Sequence, residues 1–269
     1  MIEIALAFVF GLLAGSFLNV CVYRWTHELS VVRPRSSCPN CKAMIAWYDN
    51  VPVLSFALLR GRCRHCRAAI SLQYPIIELL AAFAFGGAVY KLGLSFAAAR
   101  LAVLSAICIG LIATDLAERW LPDKFTLGGA AIGILFAYID PLNPLFPYPG
   151  FDSPRWLGVM EAMVGAALPS FTMWGIGELF YRLRKREGLG LGDVKMIAMA
   201  GAFLGLKGAL LTLIIGSSTG AIIGLIYIRI ARKRAATYQI PFGVFLGIAA
   251  ITVAWFGEPL MRWYLGIGS

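Results

Sequence analysis

The chain has 269 residues, of which 59% are hydrophobic and only 14% charged, and its mean hydropathy is +0.77. A soluble domain carries about twice that share of charged residues, so the composition excludes an ordinary soluble protein and predicts residence in a membrane. The net charge of +10 could indicate nucleic-acid binding, but its distribution along the chain favours another explanation.

The positive charges are confined to alternate connections between apolar stretches. Of 24 Lys and Arg residues, 19 fall in four segments: Arg24 to Arg67, Arg119 to Lys124, Arg182 to Lys195, and Arg229 to Arg234. Such alternation is the positive-inside pattern of membrane proteins. The charge therefore predicts topology in lipid and no nucleic-acid partner.

Eight apolar stretches recur along the chain, and those near 20 residues match the ~30 Å hydrocarbon core. In chain order they are Ile4 to Tyr23, Pro75 to Tyr90, Phe96 to Thr114, Phe125 to Tyr138, Leu157 to Tyr181, Val194 to Leu206, Gly208 to Ile228 and Ile240 to Phe256. They predict an all-α polytopic membrane protein of about eight transmembrane helices, with both termini outside the cytoplasm. The sixth stretch is short, so it is either tilted or merged with the next helix after Gly205.

Three regions follow from this pattern: a first helix over 1–24, a cytoplasmic insert over 25–73, and a membrane core over 74–269. The first stretch predicts an uncleaved span rather than a signal peptide, because Glu3 and no Lys or Arg precede it. Within it, Gly11 and Gly15 form a G-x-x-x-G pattern that predicts close helix packing. Asn19 is expected to hydrogen-bond a neighbouring helix.

Four of the six cysteines form two C-x2-C pairs, Cys38 with Cys41 and Cys63 with Cys66, separated by 21 residues. They lie in the most basic connection, hence on the predicted cytoplasmic side, where thiols stay reduced. Two such pairs can place four thiolates at the corners of a tetrahedron, which predicts a closed structural zinc site. Four free thiols are the alternative. His65 is a weaker ligand candidate.

Two aspartates stand at the predicted cytoplasmic edge of the membrane: Asp115 ends the third stretch and Asp193 begins the sixth. Aspartates are costly near hydrocarbon and suggest a function or a specific partner. The alternative is structural, with Asp193 and Asp123 as helix N-caps, Lys195 as a surface anchor and Asp115 as a helix end. Position alone leaves both interpretations open.

Neighbouring carboxyl groups can share one proton, as in aspartic proteases. One carboxylate then acts as a base on water while its protonated partner polarises the scissile carbonyl. Gly190 and Gly192 would let a substrate backbone approach, because glycine has no Cβ. With Asp123 and Lys195 they are the substrate-site candidates. The sequence does not assign which aspartate is the base.

A series of motifs over nearly the whole chain resembles the type IV prepilin peptidases, which combine leader peptidase and N-methyltransferase activities. In order they are Gly15-Ser-Phe-Leu-Asn-Val20, Cys38-Pro-Asn-Cys41, Trp47-Tyr-Asp-Asn-Val-Pro52, Arg60-Gly-Arg-Cys-Arg-His-Cys66, Ile70-Ser-Leu-Gln-Tyr-Pro75 with Glu78, Asp115 with Leu121-Pro-Asp123, Gly190-Leu-Gly-Asp-Val-Lys195, and Ile240-Pro-Phe-Gly243.

This resemblance implies that Asp115 and Asp193 are the catalytic pair and that Asp123 is the neighbouring Asp of the L-P-D motif. It implies removal of the basic leader of a prepilin or pseudopilin after a glycine, at the cytoplasmic face of a bacterial inner membrane. It further implies methylation of the new N-terminus, usually a phenylalanine, with S-adenosylmethionine. No G-x-G-x-x-G follows a predicted strand, so the residues that bind this methyl donor are not identified.

Two other function classes remain to be compared. Intramembrane proteases of the presenilin or signal-peptide-peptidase kind also use G-x-G-D, but pair it with a Tyr-Asp inside a span and a later Pro-Ala-Leu. Here the Tyr-Asp pair, Tyr48 and Asp49, lies in the cysteine insert, and Pro-Ala-Leu is absent. A transporter or metal sensor would predict ionisable groups near the bilayer midplane, whereas both aspartates are predicted at one edge.

Overall fold

The computed structural model describes residues 1–33, 35–143, 148, 150, 153–186, 188–230 and 241–265. Its helices are α1 (Ile2–Thr26), α2 (Leu54–Leu58), α3 (Gln73–Leu92), α4 (Phe96–Glu118), α5 (Asp123–Ile139), α6 (Pro154–Arg184), α7 (Leu191–Ile230) and α8 (Phe242–Leu265), with a 3-10 turn at Trp47–Asn50 before α2. Over these ranges the only strand-like features are two isolated β-bridges in the cysteine insert. The all-α prediction is confirmed.

Six helices in the described ranges are long and apolar enough to cross a bilayer: α1, α3, α4, α6, α7 and α8. The 17-residue helix α5 is shorter than the roughly 20 residues that a span needs. Helix α7 counts once, although Gly205 interrupts it with φ of 71°. Each of the eight predicted stretches corresponds to a helix or a segment of one; in the last stretch, Ile240 lies outside the described residues and the helix begins at Phe242, after Pro241. The chain is a multi-pass membrane protein, but a count of about eight spans is not confirmed.

Large apolar side chains cover the outer faces of these helices. Phe10, Leu13 and Phe17 of α1 and Phe171 and Ile176 of α6 are each more than half exposed. A soluble protein rarely exposes such large apolar patches, whereas lipid tails solvate them at little cost. The exposed faces therefore agree with residence in a bilayer.

The chain divides into two compact units, Met1–Gly110 and Leu111–Ser269. In the first unit α1 packs along α3. A Cβ at Gly11 would lie 2.6 Å from Cα of Ala82, and one at Gly15 would lie 2.6 Å from Cα of Glu78. The G-x-x-x-G pattern thus lets the two backbones approach closely, as predicted. The division into 1–24, 25–73 and 74–269 stays a prediction.

In the second unit α7 packs against α5, α6 and α8. The crossing of α6 and α7 is built on glycines, since a Cβ at Gly201 would overlap the backbone of Gly165. At Gly205 the positive φ breaks α7 into two helical segments, which we call α7a (before Gly205) and α7b (after it). The sequence left two alternatives for the short sixth stretch, a tilted helix or one merged with the next helix after Gly205; in the structure both stretches lie in α7, with the break at Gly205 between them.

Candidate active site and metal centre

Asp115 lies near the end of α4, within the second unit, and only 5% of it is exposed. Its Oδ2 accepts a hydrogen bond of 3.0 Å from the backbone N–H of Val244, in the first turn of α8. The first N–H groups of a helix have no partner within the helix, so this carboxylate satisfies one of them. Gly243 allows the approach, because a Cβ there would lie 2.9 Å from the same oxygen.

Asp193 lies in the first turn of α7a and is partly buried. Its backbone N–H donates to the carbonyl of Gly190 at 3.2 Å. The glycines leave room for this turn. A Cβ at Gly190 would lie 3.1 Å from Oδ2 of Asp193, and one at Gly192 would lie 3.1 Å from Cβ of Leu121. Glycine at 190 therefore keeps one side of the Asp193 carboxyl group open.

Both aspartates line a single cavity of about 770 Å³ in the second unit, which we call the acid cavity. The four substrate-site candidates also line the cavity, so the structure brings every predicted site residue of the second unit together. The lining residues are Asp115, Arg119, Trp120, Leu121, Asp123, Gly188, Leu189, Gly190, Gly192, Asp193, Lys195, Pro241 and Phe242.

Asp123 and Lys195 form an ion pair at the edge of the acid cavity. Nζ of Lys195 lies 2.7 Å from Oδ1 of Asp123, and their side chains are 35% and 57% exposed. An exposed pair of this kind contributes about 0–1 kcal/mol. Its role is therefore geometric: it joins the first turn of α5 to the first turn of α7a, beside Asp193.

Sequence reasoning missed Arg119 and Trp120, which line the same cavity. Both residues follow the end of α4 at Glu118, and Arg119 has a φ of 54°. Helical periodicity does not apply there, so only the fold places these two side chains at the cavity.

Sequence reasoning also missed Glu161 of α6, which is 1% exposed. Its Oε1 accepts the backbone N–H of Leu206 at 2.8 Å, and its Oε2 accepts the hydroxyl of Tyr148 at 2.6 Å. Glu161 thus caps the start of α7b where Gly205 breaks the helix. Burial raises the pKa of Tyr148, and the hydrogen bond to Glu161 adds to this, so the tyrosine keeps the proton that it donates.

In the first unit the four cysteines of the insert come together. Sγ atoms of Cys38, Cys41, Cys63 and Cys66 all lie within 4.8 Å of one another, and those of Cys38 and Cys66 are 3.8 Å apart. Zn–S bonds of about 2.3 Å in a tetrahedron require sulfur atoms about 3.8 Å apart. The cluster therefore fits a tetrahedral metal site made of four thiolates.

Each of the two cysteine pairs lies in its own backbone turn, and the two turns have the same hydrogen-bonding pattern. Cys38 N–H donates to Ala43 O at 2.9 Å, and Cys63 N–H donates to Ala68 O at 2.8 Å. Isolated β-bridges close both turns, Ser37 with Met44 and Arg62 with Ala69. The insert is therefore a pair of matching cysteine turns, a short repeat that was not recognised in the sequence.

Polar contacts support the cysteine cluster. Asn40 donates to Sγ of Cys66 at 3.5 Å, which lowers the pKa of that thiol to about 6 and favours the thiolate that binds metals. Nε of Arg64 lies 2.8 Å from Oδ2 of Asp49, a contact that lowers the pKa of Asp49. Arg64 also lies over the ring of Tyr48, 5.6 Å from its centre.

Two polar side chains of the first unit have partners within that unit. Oε2 of Glu78 accepts the backbone N–H of Val53 at 2.7 Å, and Nδ2 of Asn19 donates to Tyr74 O at 3.0 Å. Val53 has φ of 59°, an uncommon conformation for a β-branched residue. Glu78 therefore holds the insert at a strained position, and Asn19 joins α1 to α3.

With this geometry established, the chain can be compared with known proteins. A model described as the bacterial peptidase A24 N-terminal domain matches residues 9–92, and a model of the type IV leader peptidase family matches residues 101–225. A prepilin leader peptidase/N-methyltransferase of Aeromonas hydrophila is 33% identical over 97% of this chain and 93% of its own length. The chain belongs to the type IV leader peptidase family.

Other relatives with the same description match the chain to a similar degree. Proteins of the same description from Legionella pneumophila and Myxococcus xanthus are 33% and 37% identical, over 96% and 81% of this chain and 93% and 61% of their own lengths. No solved structure matches the chain. Membership of this family makes the chain a membrane peptidase, as the motifs predicted.

Proposed function

We propose that this peptidase is an aspartyl endopeptidase that removes the basic leader of a prepilin or pseudopilin after a glycine. The observation that carries the proposal is the shared cavity of Asp115 and Asp193. Two carboxyl groups in one pocket can divide the work of acid and base. The substrate class comes from the descriptions of the relatives, which are prepilin leader peptidases.

In this mechanism one carboxylate takes a proton from water while the protonated partner donates its proton to the carbonyl oxygen. As the C–N bond breaks, the first group passes the water's proton to the leaving amine, and the partner regains its proton from the hydroxyl of the intermediate. Val244 N–H orients the carboxylate of Asp115. Gly190 leaves the side of Asp193 open to the substrate backbone. The Asp123–Lys195 ion pair holds the start of α5 and the start of α7a together beside the two aspartates Asp115 and Asp193.

The test of this mechanism is cleavage in membranes by wild type, Asp115→Asn and Asp193→Asn. Asparagine keeps the shape of aspartate but cannot take up the proton, so each variant is expected to lose cleavage by about 10²-fold or more. Both variants must still insert and keep their metal. Normal cleavage by either variant would show that the pair is not catalytic.

We further propose that the four cysteines bind zinc with a structural role. Four protein ligands leave no coordination position for a catalytic water, and the small insert gains folding energy from the metal. Asn40 supports the thiolate form of Cys66. The proposed zinc site is therefore separate from the chemistry of the aspartates.

The second proposed activity is methylation of the new N-terminus with S-adenosylmethionine, which supplies the methyl group. It rests on the description of the relatives as N-methyltransferases. The ring of Trp120, which lines the acid cavity, is a group that suits a sulfonium cation. Labelled methyl transfer to a cleaved product tests this activity, and a cleaved but unlabelled product would refute it.

We propose a bacterial inner membrane as the location, with the insert and the acid cavity on the cytoplasmic side and both ends of the chain outside. The grouping of 19 of the 24 Lys and Arg residues in alternate connections supports this orientation. This orientation is measured by introducing single cysteines and labelling them from each side of the membrane. Labelling of the 25–73 segment from outside would overturn it.

A further inference from the structure

A second cavity of the second unit adjoins the acid cavity and has a volume of about 370 Å³. The two cavities share three lining residues, Gly188, Leu189 and Phe242. The remaining walls of the second cavity are a face of α6 and a face of α7b. We call this second cavity the apolar groove.

The apolar groove extends from the acid cavity into the membrane-spanning part of the protein. On α6 it reaches Thr172, which is about 18 Å along the helix from Arg184 at 1.5 Å per residue. On α7b it reaches Leu213, about 25 Å from the end of the helix at Ile230. One end of the groove is therefore beside the aspartates and the other lies deep in the spans.

Among the residues that the structure describes, the walls of the apolar groove carry no charged group. The polar side chains among them are Thr172 and Ser217, and both hydroxyls donate to carbonyls of their own helices, those of Leu168 and Leu213. Burying a charged group here would be costly because nothing would pair with it. The groove therefore suits an apolar occupant and excludes a basic segment.

Resting on the proposed function, we infer that the apolar groove binds the first turns of the substrate's membrane helix, immediately beyond the bond that is cut. A substrate cut at the membrane surface has a polar side in water and an apolar side in the bilayer. Continuity of the two cavities at Gly188, Leu189 and Phe242 provides a path for such a chain. The acid cavity holds the scissile bond and the apolar groove holds the residues that follow it.

This arrangement gives α6 and α7b a role in specificity. Gly177 and Gly188 allow close packing at the groove, since a Cβ at Gly177 would lie 3.2 Å from Cβ of Leu189, and one at Gly188 would lie 2.6 Å from the ring of Phe180. The loop before Asp193 thereby packs on the end of α6. Binding of an apolar helix would align the scissile bond with the aspartates, which is how remote contacts accelerate a reaction.

Two adjacent serines provide a matched test. Ser217 and Ser218 are both exposed, but of the two only Ser217 lines the apolar groove. Each is replaced by tryptophan in the full-length protein, in nanodiscs, on the wild-type and Asp193→Asn backgrounds. The probe is a synthetic polypeptide with a basic leader, a Gly-Phe junction and an apolar helix, carrying benzoylphenylalanine at the third residue after the junction.

Irradiation should crosslink the probe to peptides that contain Thr172 to Phe180 or Leu213 to Ser217. Ser217→Trp should reduce this crosslinking by about tenfold or more, because overpacking a site excludes its occupant, while Ser218→Trp should leave it unchanged. Equal crosslinking in the two variants, or crosslinking only elsewhere, would overturn the inference. So would a phospholipid that stays in the groove when the probe is bound.

Cleavage assays on the same samples separate the inference from the proposed function. Cleavage of the probe by wild type without crosslinks in the groove would refute the groove and leave the peptidase mechanism intact. Crosslinks in the groove without cleavage by wild type would refute the proposed substrate chemistry and leave the binding site standing.

Discussion

At the scale of single residues, the site depends on glycines that let a backbone approach a carboxyl group. A Cβ at Gly243 would lie 2.9 Å from Oδ2 of Asp115 and 3.0 Å from Leu121, and one at Gly190 would lie 3.1 Å from Oδ2 of Asp193. Neither carboxylate could keep its position if a methyl group filled these places. The positions of the two carboxyl groups thus depend on glycines, which have no reactive side chain of their own.

We expect Gly243→Ala to lower kcat by about ten- to a hundredfold while KM stays within about twofold, because a shift of the carboxyl group misaligns it with the scissile bond. Its methyl group would lie 2.9 Å from Oδ2 of Asp115. Gly128→Ala is the control, since no atom lies within 4 Å of a Cβ there. Unchanged kcat in Gly243→Ala would show that Asp115 tolerates displacement.

A second prediction concerns the buried carboxylate of Glu161. Glu161→Leu leaves the N–H of Leu206 without its carboxylate acceptor and should lower the free energy of unfolding by about 1–3 kcal/mol. Glu161→Gln keeps a side-chain oxygen that can accept that N–H, so it should lower the free energy of unfolding by clearly less. Thermal unfolding in detergent measures both variants. Equal losses would mean that the cap on α7b contributes little.

At the scale of elements, the crossing of α6 and α7 sets the position of Asp193. The backbones of Gly165 and Gly201 come too close for any side chain, and Gly205 has a positive φ that suits glycine. Glu161 compensates for the break by accepting the N–H of Leu206. The break and its cap together let α7a begin at the acid cavity while α7b forms a wall of the apolar groove.

Gly201→Leu should therefore prevent stable folding, since its side chain would overlap the backbone of Gly165 in a packed helix crossing. Gly175→Leu on α6 is the control, because no atom lies within 4 Å of a Cβ there. The measurement is the yield of monodisperse protein after extraction from membranes. Equal yields of the two variants would disprove the close crossing.

At the scale of the whole molecule, the chain combines a four-cysteine insert in its first unit with an acid site in its second. A small insert gains little stability from apolar burial alone. The two matching turns bring four sulfur atoms within 4.8 Å of one another. On the proposed zinc site, we expect folding of the insert to be coupled to metal binding.

Metal removal tests this coupling. Wild type should contain one zinc ion per chain, and Cys63→Ser should lose it and become sensitive to protease within 25–73. Cys108→Ser is the control, because Cys108 is buried in α4 outside the cluster and should not change the zinc content. Full zinc content in Cys63→Ser would exclude the four-cysteine site.

The sequence by itself determined the class of the protein and the family to which its motifs belong. Its hydropathy and charge pattern predict a multi-pass helical protein, because a span of the bilayer needs a continuous apolar helix. Local spacing was also enough for Cys38, Cys41, Cys63 and Cys66, whose clustering the structure confirms. Their metal and the catalytic role of the aspartates stay predictions.

Only the tertiary structure decided how distant segments meet. It joined Asp115 to Val244 across 129 positions and Glu161 to Leu206 across 45, and it joined the acid cavity to the apolar groove. It also left the predicted number of spans unconfirmed, because Gly205 interrupts one long helix and α5 is short. Helical periodicity acts over a few residues, whereas such contacts depend on the packing of separate helices, which one sequence does not reveal.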